Sequence, residues 1–103
     1  MKQLLIRYRF KNGVQEEWHR EIARFISAVE SDPALRGRIS YRAMKGKEGD
    51  EYFHLVEVAD DQAVKELGER DYFVRYTEKA ELASDGGVEV LPLEVVAQTQ
   101  RRA

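Results

Sequence analysis

The hydrophobic period switches along this chain between the two values a backbone can use, and the order of the switches leaves few folds open. Gln3 to Phe10 alternates, with Leu4, Ile6, Tyr8 and Phe10 on one side and Leu5, Arg7 and Arg9 on the other. A period of two predicts a strand. Asn12-Gly13 breaks it, and Asn12 is expected to cap the helix after it. From Gln15 to Ser31 the apolar residues Trp18, Ile22, Phe25, Ile26 and Val29 fall on one helical stripe, opposite Glu16, Arg20, Glu21 and Arg24. Asp32-Pro33 ends that helix, because a residue before proline is driven out of the α region.

Alternation returns over Arg38 to Met44 and Glu51 to Ala59, around the polar, glycine-bearing run Lys45 to Asp50. This predicts a hairpin. Asp60 or Asp61 stands at the N-cap position of a helix carrying Ala63, Val64 and Leu67. Gly68 interrupts it. A second helical piece is expected from Asp71 to Ala83, with Phe73, Tyr76, Ala80 and Ala83 at helical spacing. Asp85-Gly86-Gly87 then turns into a last strand, Val88 to Ala97, where Pro92 predicts an edge or a bulge. Gln98 to Ala103 is a polar tail.

Strand, helix, strand, strand, broken helix, strand is the βαββαβ order of an α+β, ferredoxin-like domain. Its crossovers put both helices on one face of a four-stranded antiparallel sheet. The whole chain, 1–103, reads as one such domain, since 103 residues support only a thin core. The other face carries Leu5, Arg7 and Arg9, then Ser40, Arg42 and Met44, then Phe53, Leu55 and Glu57. Its apolar centre predicts a cover, for which a second copy of the chain is the simplest candidate. Arg7, Arg9 and Arg42 are expected to pair with Glu57 and Glu94 in or around that interface.

Composition narrows the chemistry. With no cysteine there are no disulfides, thiolate metal sites or cysteine nucleophiles. Two histidines, one of them (His19) a turn from Glu16 on an exposed helix face, make no metal cage. A net charge of −2 gives no basic field for a nucleic-acid partner. No apolar run is long enough for a membrane partner, and Met1-Lys2 leads into a strand with no signal-peptide pattern, which reads as cytoplasmic. Two domains of the same element order fit poorly. RNA-recognition modules carry a strand pattern of stacking aromatics that is absent here. Acylphosphatases cradle phosphate before their first helix, where Glu16 and Glu17 would repel it.

The stretches Lys11-Asn12-Gly13, Phe53 to Asp61 and Asp71-Tyr72-Phe73-Val74-Arg75-Tyr76 carry a resemblance. The chain resembles the dimeric α/β-barrel superfamily and, within it, the antibiotic biosynthesis monooxygenase-like proteins. That likeness implies a homodimer of sheets packed face to face. It also implies a pocket between helices and sheet for a flat aromatic molecule, and oxidation of phenols or quinols by dioxygen with no cofactor. A haem-degrading branch of the superfamily uses Asn, Trp and His at positions that here align with Ile6, Leu67 and Thr77, so that activity is not expected.

Alternation places His54 on the helix-facing side of its strand with Tyr52, Val56 and Val58. There it is a candidate general base toward a phenolic proton, backed by Tyr41 and Tyr76. Tyr8, Trp18, Tyr72 and Phe73 are the candidate ligand-binding aromatics. The competing reading makes these residues plain core, with the domain a non-catalytic ligand-binding or scaffold dimer.

Overall fold

The computed structural model describes residues 1–100. Strands β1 (Lys2–Arg9), β2 (Ile39–Lys45), β3 (Glu51–Val58) and β4 (Glu89–Leu93) and helices α1 (Gln15–Glu30), α2 (Asp61–Gly68) and α3 (Asp71–Ser84) follow the expected order. The sheet is antiparallel throughout, in the order β2-β3-β1-β4. The fold is therefore α+β and ferredoxin-like.

The alternation sorts as the sequence predicts. On β3, Tyr52, His54, Val56 and Val58 are buried under the helices, while Phe53, Leu55 and Glu57 face the other way. The core stripe of α1, Trp18, Ile22, Phe25 and Val29, packs against them. Acidic Glu16 and Glu17 occupy the first turn of α1, where the helix dipole favours them.

Three expectations need correction. Asn12 does not cap α1, whose N-cap is Val14 with no side-chain bond. Instead its Nδ2 donates to the Leu82 carbonyl at 2.9 Å, and the backbone N–H groups of Lys11 and Asn12 donate to Ala83. The loop after β1 thus satisfies carbonyls that the end of α3 leaves open. The last strand is five residues long, not ten. Pro92 still sits in it, opposite Leu4, on an edge strand with no outer neighbour, the setting in which a sheet tolerates proline. Residues 94–100 carry no regular structure, and 101–103 of the expected tail lie outside the described residues. Lastly, within the chain Arg7 pairs with Glu89 and Arg9 with Asp50, not with Glu57 or Glu94.

The uncovered sheet face has an apolar middle. Leu5 stands between Leu55 on β3 and Leu91 on β4, with Phe53 and Met44 in the next row. Arg42 and Glu57 lie beside them on the same face.

Asp60 caps α2 through a 2.8 Å bond from the Ala63 N–H. At the other end of the helical layer α3 closes with Asp85 in the left-handed region, φ 55°, and Gly86 bonding back to the Glu81 carbonyl at 2.9 Å. Aspartate tolerates that conformation less well than glycine does. We expect Asp85→Gly to stabilise the fold by roughly 0.5–1 kcal/mol in urea unfolding, and a loss of stability would contradict this origin of the turn.

Candidate functional site

The inner face of the sheet and two helices converge on one imidazole. His54 projects from the middle of β3, flanked by Tyr8 on β1 and Tyr41 on β2, with Tyr76 of α3 and Trp18 of α1 closing the top. It is 1% exposed. Tyr8 Oη lies 2.9 Å from Nε2, and Tyr41 Oη lies 2.6 Å from Nδ1. Tyr76 Oη is 3.1 Å from Tyr41 Oη and 3.5 Å from Nδ1, and Trp18 Nε1 donates to Tyr8 Oη at 2.8 Å.

These distances favour one arrangement of the protons, the Nε2–H tautomer, over its opposite. A 2.6 Å contact is short for an N–H donor and suits a hydroxyl donating to a ring nitrogen, whereas 2.9 Å is ordinary for N–H···O. In the tautomer we expect, Tyr41 donates to Nδ1 and Nε2–H donates to Tyr8. With the Tyr41 hydrogen so committed, Tyr76 is the donor to Tyr41. The Tyr8 oxygen receives both Trp18 and His54, so its own hydroxyl hydrogen is the one without an acceptor inside the network. Every buried side-chain nitrogen and oxygen among the described residues has a partner.

Burial governs the charge states. It lowers the His54 pKa from 6.5 to about 4, so the imidazole is neutral at neutral pH. The same loss of solvent pushes the Tyr8, Tyr41 and Tyr76 hydroxyls well above the usual phenol range. The five residues form an uncharged, hydrogen-bonded unit inside stacked rings. Phe25 lies 4.0 Å from Tyr76, nearly parallel, and Trp18 stacks on the same ring at 5.6 Å.

The structure separates the other candidates from this unit. Tyr72 turns away: its hydroxyl donates to Asp32 Oδ2 at 2.8 Å, beside Arg70 Nε at 2.8 Å from the same oxygen. Arg70 and the Tyr72 hydroxyl hold the Asp32 carboxyl down to about 2, and burial with that carboxylate raises Tyr72 to about 12. This lock fixes the start of α3 against the end of α1. Phe73 packs on Phe25 at 6.1 Å. A second histidine–tyrosine pair, His19 Nε2 and Tyr52 Oη at 2.8 Å, escaped the sequence reading. Its only signal was the position of His19 next to Trp18, at the edge of the buried stripe.

Open space lies beside the network rather than at His54. Between α1 and α3 a cleft of about 300 Å³ is lined by Phe25, Ala28, Tyr72 and Tyr76. Its rim is charged, with Arg24, Arg75, Lys79 and Glu21. Glu21 binds Lys79 at 2.8 Å and Arg24 at 2.7 Å, which holds its carboxyl below the usual range and ties the helices together across the mouth. Of the candidate residues, Tyr72 and Tyr76 border this cleft, and Tyr41 borders a different groove, between α1 and β2. No cluster of three possible metal ligands occurs among the described residues, and no described helix is long and apolar enough to cross a membrane.

No family model matches the chain, and no curated protein matches it. Solved structures do. An antibiotic biosynthesis monooxygenase superposes with a TM-score of 0.77 at 11% identity, covering 94% of this chain and all of that one. The cofactor-independent oxygenase SnoaB from Streptomyces nogalater gives 0.78 at 13% identity, covering 97% of each chain. A dimeric ferredoxin-like protein of unknown function from Jannaschia gives 0.70 at 16%, covering 92% of this chain and all of the other.

The neutral imidazole has a consequence for stability. An unfolded chain protonates His54 near 6.5, while the folded chain resists until about 4. Its contribution is therefore complete above 6.5, is lost as pH falls between the two values, and changes no further below about 4. We expect roughly 3 kcal/mol of stability to go in that window, and His54→Gln to flatten the slope there in denaturant titrations. Asp32 acts lower, its contribution falling away from 3.8 toward about 2. An unchanged slope in His54→Gln would show that the histidine is not held neutral. Backbone and element order together give the chain the ferredoxin-like fold of the antibiotic biosynthesis monooxygenase structures.

Proposed function

We propose that the chain binds a flat, electron-rich phenol or quinol in the α1–α3 cleft and oxygenates it with dioxygen, using no metal or flavin. The observation that carries this reading is Tyr76. Its ring is a wall of the cleft, and its hydroxyl begins the chain of bonds through Tyr41 to His54. Phe25 and Tyr72 supply the apolar floor that a planar ring stacks on. The fold shared with a cofactor-independent oxygenase supports the same reaction class.

A phenol reduces dioxygen far more readily once its proton is gone, so the useful task for the protein is to take that proton. Neutral His54 offers Nδ1 as the final acceptor. Tyr76 takes the ligand's proton and passes its own to Tyr41, which passes its proton to Nδ1. With a pKa of about 4 the imidazolium is unfavourable, so transfer must accompany electron loss from the ligand rather than precede it. Tyr41 and Tyr76 are thus relay groups and His54 a base reached only through them. Tyr8 and Trp18 orient the imidazole from its other side. Phe73 supports Phe25 from behind. On this reading the protein works in the cytoplasm.

Oxygen uptake over a panel of anthrones and hydroquinones tests the activity, with fluorescence of Trp18, the sole tryptophan, reporting binding one ring away from the cleft. Tyr76→Phe should keep the stacking and lose about 10²–10⁴-fold in rate. Ala28→Phe should fill the cleft and abolish the saturable fluorescence change. A panel that neither quenches Trp18 nor consumes oxygen would favour the second reading, a scaffold dimer, which the sealing of His54 specifically supports.

We also propose that two chains pair sheet to sheet through Leu5, Phe53 and Leu55. The apolar centre of a face with no helix over it motivates this, and the fold shared with a dimeric ferredoxin-like protein supports it. Light scattering should give twice the mass of one chain, and Leu55→Arg should halve it. A wild-type monomer at micromolar concentration would rule the pairing out.

A further inference from the structure

The contact between Tyr41 and His54, the last link of the relay proposed above, has a geometry that would also serve a reaction with no ligand in the cleft. Tyr41 Oη lies only 2.6 Å from Nδ1 of a buried imidazole, and in the Nε2–H tautomer expected above the opposite nitrogen serves Tyr8 as donor and leaves Nδ1 to accept. One-electron oxidation makes a phenol a very strong acid. A phenol that has a vacant base within hydrogen-bond distance loses the electron and the proton together, and avoids the high-energy radical cation.

We propose that Tyr41 is a redox-active tyrosine, oxidised by one electron while its hydroxyl proton moves to Nδ1 of His54. The Tyr41 O–H bond breaks and an N–H bond forms, giving a neutral tyrosyl radical hydrogen-bonded to an imidazolium. The electron goes to an organic peroxyl radical, which takes up a solvent proton and becomes a hydroperoxide. A thiol reductant returns the electron, and the proton goes back from Nδ1 to the phenolate oxygen. This does not depend on any ligand in the α1–α3 cleft.

The other tyrosines lack one part of the arrangement. Tyr8 receives hydrogen bonds from Trp18 and Nε2–H, and its own proton has no acceptor within the network. Tyr76 donates to another phenol, and that bond to the Tyr41 oxygen stabilises the radical formed there. Tyr72 donates to Asp32, outside the ring cluster. Tyr52 has His19, the exposed histidine, at 2.8 Å and is the internal control. An outlet for the electron exists as well. Tyr41 meets Phe25 at 5.2 Å, edge to face, and Phe25 meets the half-buried Tyr72 at 6.1 Å.

Flash photolysis of the full chain with ruthenium tris-bipyridine as the photo-oxidant, followed by freezing and electron paramagnetic resonance, tests the assignment. A tyrosyl signal should form more slowly in deuterated water and disappear in large part in Tyr41→Phe, while Tyr52→Phe retains it. A second measurement needs no variant. The groups facing His54 are Tyr8 from β1, Tyr41 from β2 and Tyr76 from α3, with Trp18 of α1 behind Tyr8, and none carries a charge. The wild-type yield should therefore hold constant on acidification until pH nears about 4, where His54 takes up a proton. An undiminished signal in Tyr41→Phe, or a yield that already falls around the unperturbed histidine value, would overturn the proposal.

Discussion

Placing an imidazole under the helices of a small α+β sheet obliges the surrounding elements to supply partners for both of its nitrogens. An unpaired buried nitrogen costs about 1–3 kcal/mol, a sizeable fraction of what a domain of this size has to spare. His54 meets that demand through four other elements at once, with Tyr8 from β1, Tyr41 from β2, Tyr76 from α3 and, behind Tyr8, Trp18 from α1. Each phenol is in turn a core ring. The hydrogen bonds fix the rotation of those rings, and the rings exclude the water that would otherwise compete for the bonds. Polar satisfaction and packing are one constraint here, and the low pKa of His54 follows from it.

The same demand sets where anything else can bind. With the imidazole sealed, the accessible surface of the network is a ring wall, and the cleft beside Tyr76 exists because α3 stands off from α1 along one side. The Asp32–Arg70–Tyr72 lock holds one end of that arrangement, and the bridge from Lys79 to Glu21 spans its mouth. The helices are thus pinned at two points with an aromatic floor between them. A ligand would meet a preformed slot.

Much of the fold is legible because each segment states its period without ambiguity. The alternation of Tyr52, His54, Val56 and Val58 puts the histidine on the correct face, and Asp32-Pro33 and Gly68 break the helices where they end. The last strand reads too long because Val95, Val96 and Ala97 have strand-like composition, and nothing local shows that pairing with β1 stops at Leu93, opposite Gln3. Asn12 misleads for a related reason. A capping residue looks alike whether it serves the helix directly after it or a distant one, and here it serves α3, 70 residues on. Of the site, the members can be gathered from their faces, but not their bonds. Whether an inward histidine lines a cavity or fills one depends on side-chain volumes from four other elements, and no local pattern encodes that sum. Tyr72, one of the aromatic set by sequence, belongs by its hydroxyl to Asp32 instead.

The likeness to oxygenases at 11–13% identity is a likeness of backbone, so the chemistry of this chain rests on the state of its own buried ring. Nitrogen-15 NMR of the imidazole measures that state directly. We expect a His54 ring that stays neutral from neutral pH down toward about 4, protonated at Nε2 and bare at Nδ1. A ring protonated at Nδ1, or one that titrates near the ordinary histidine value, would contradict it.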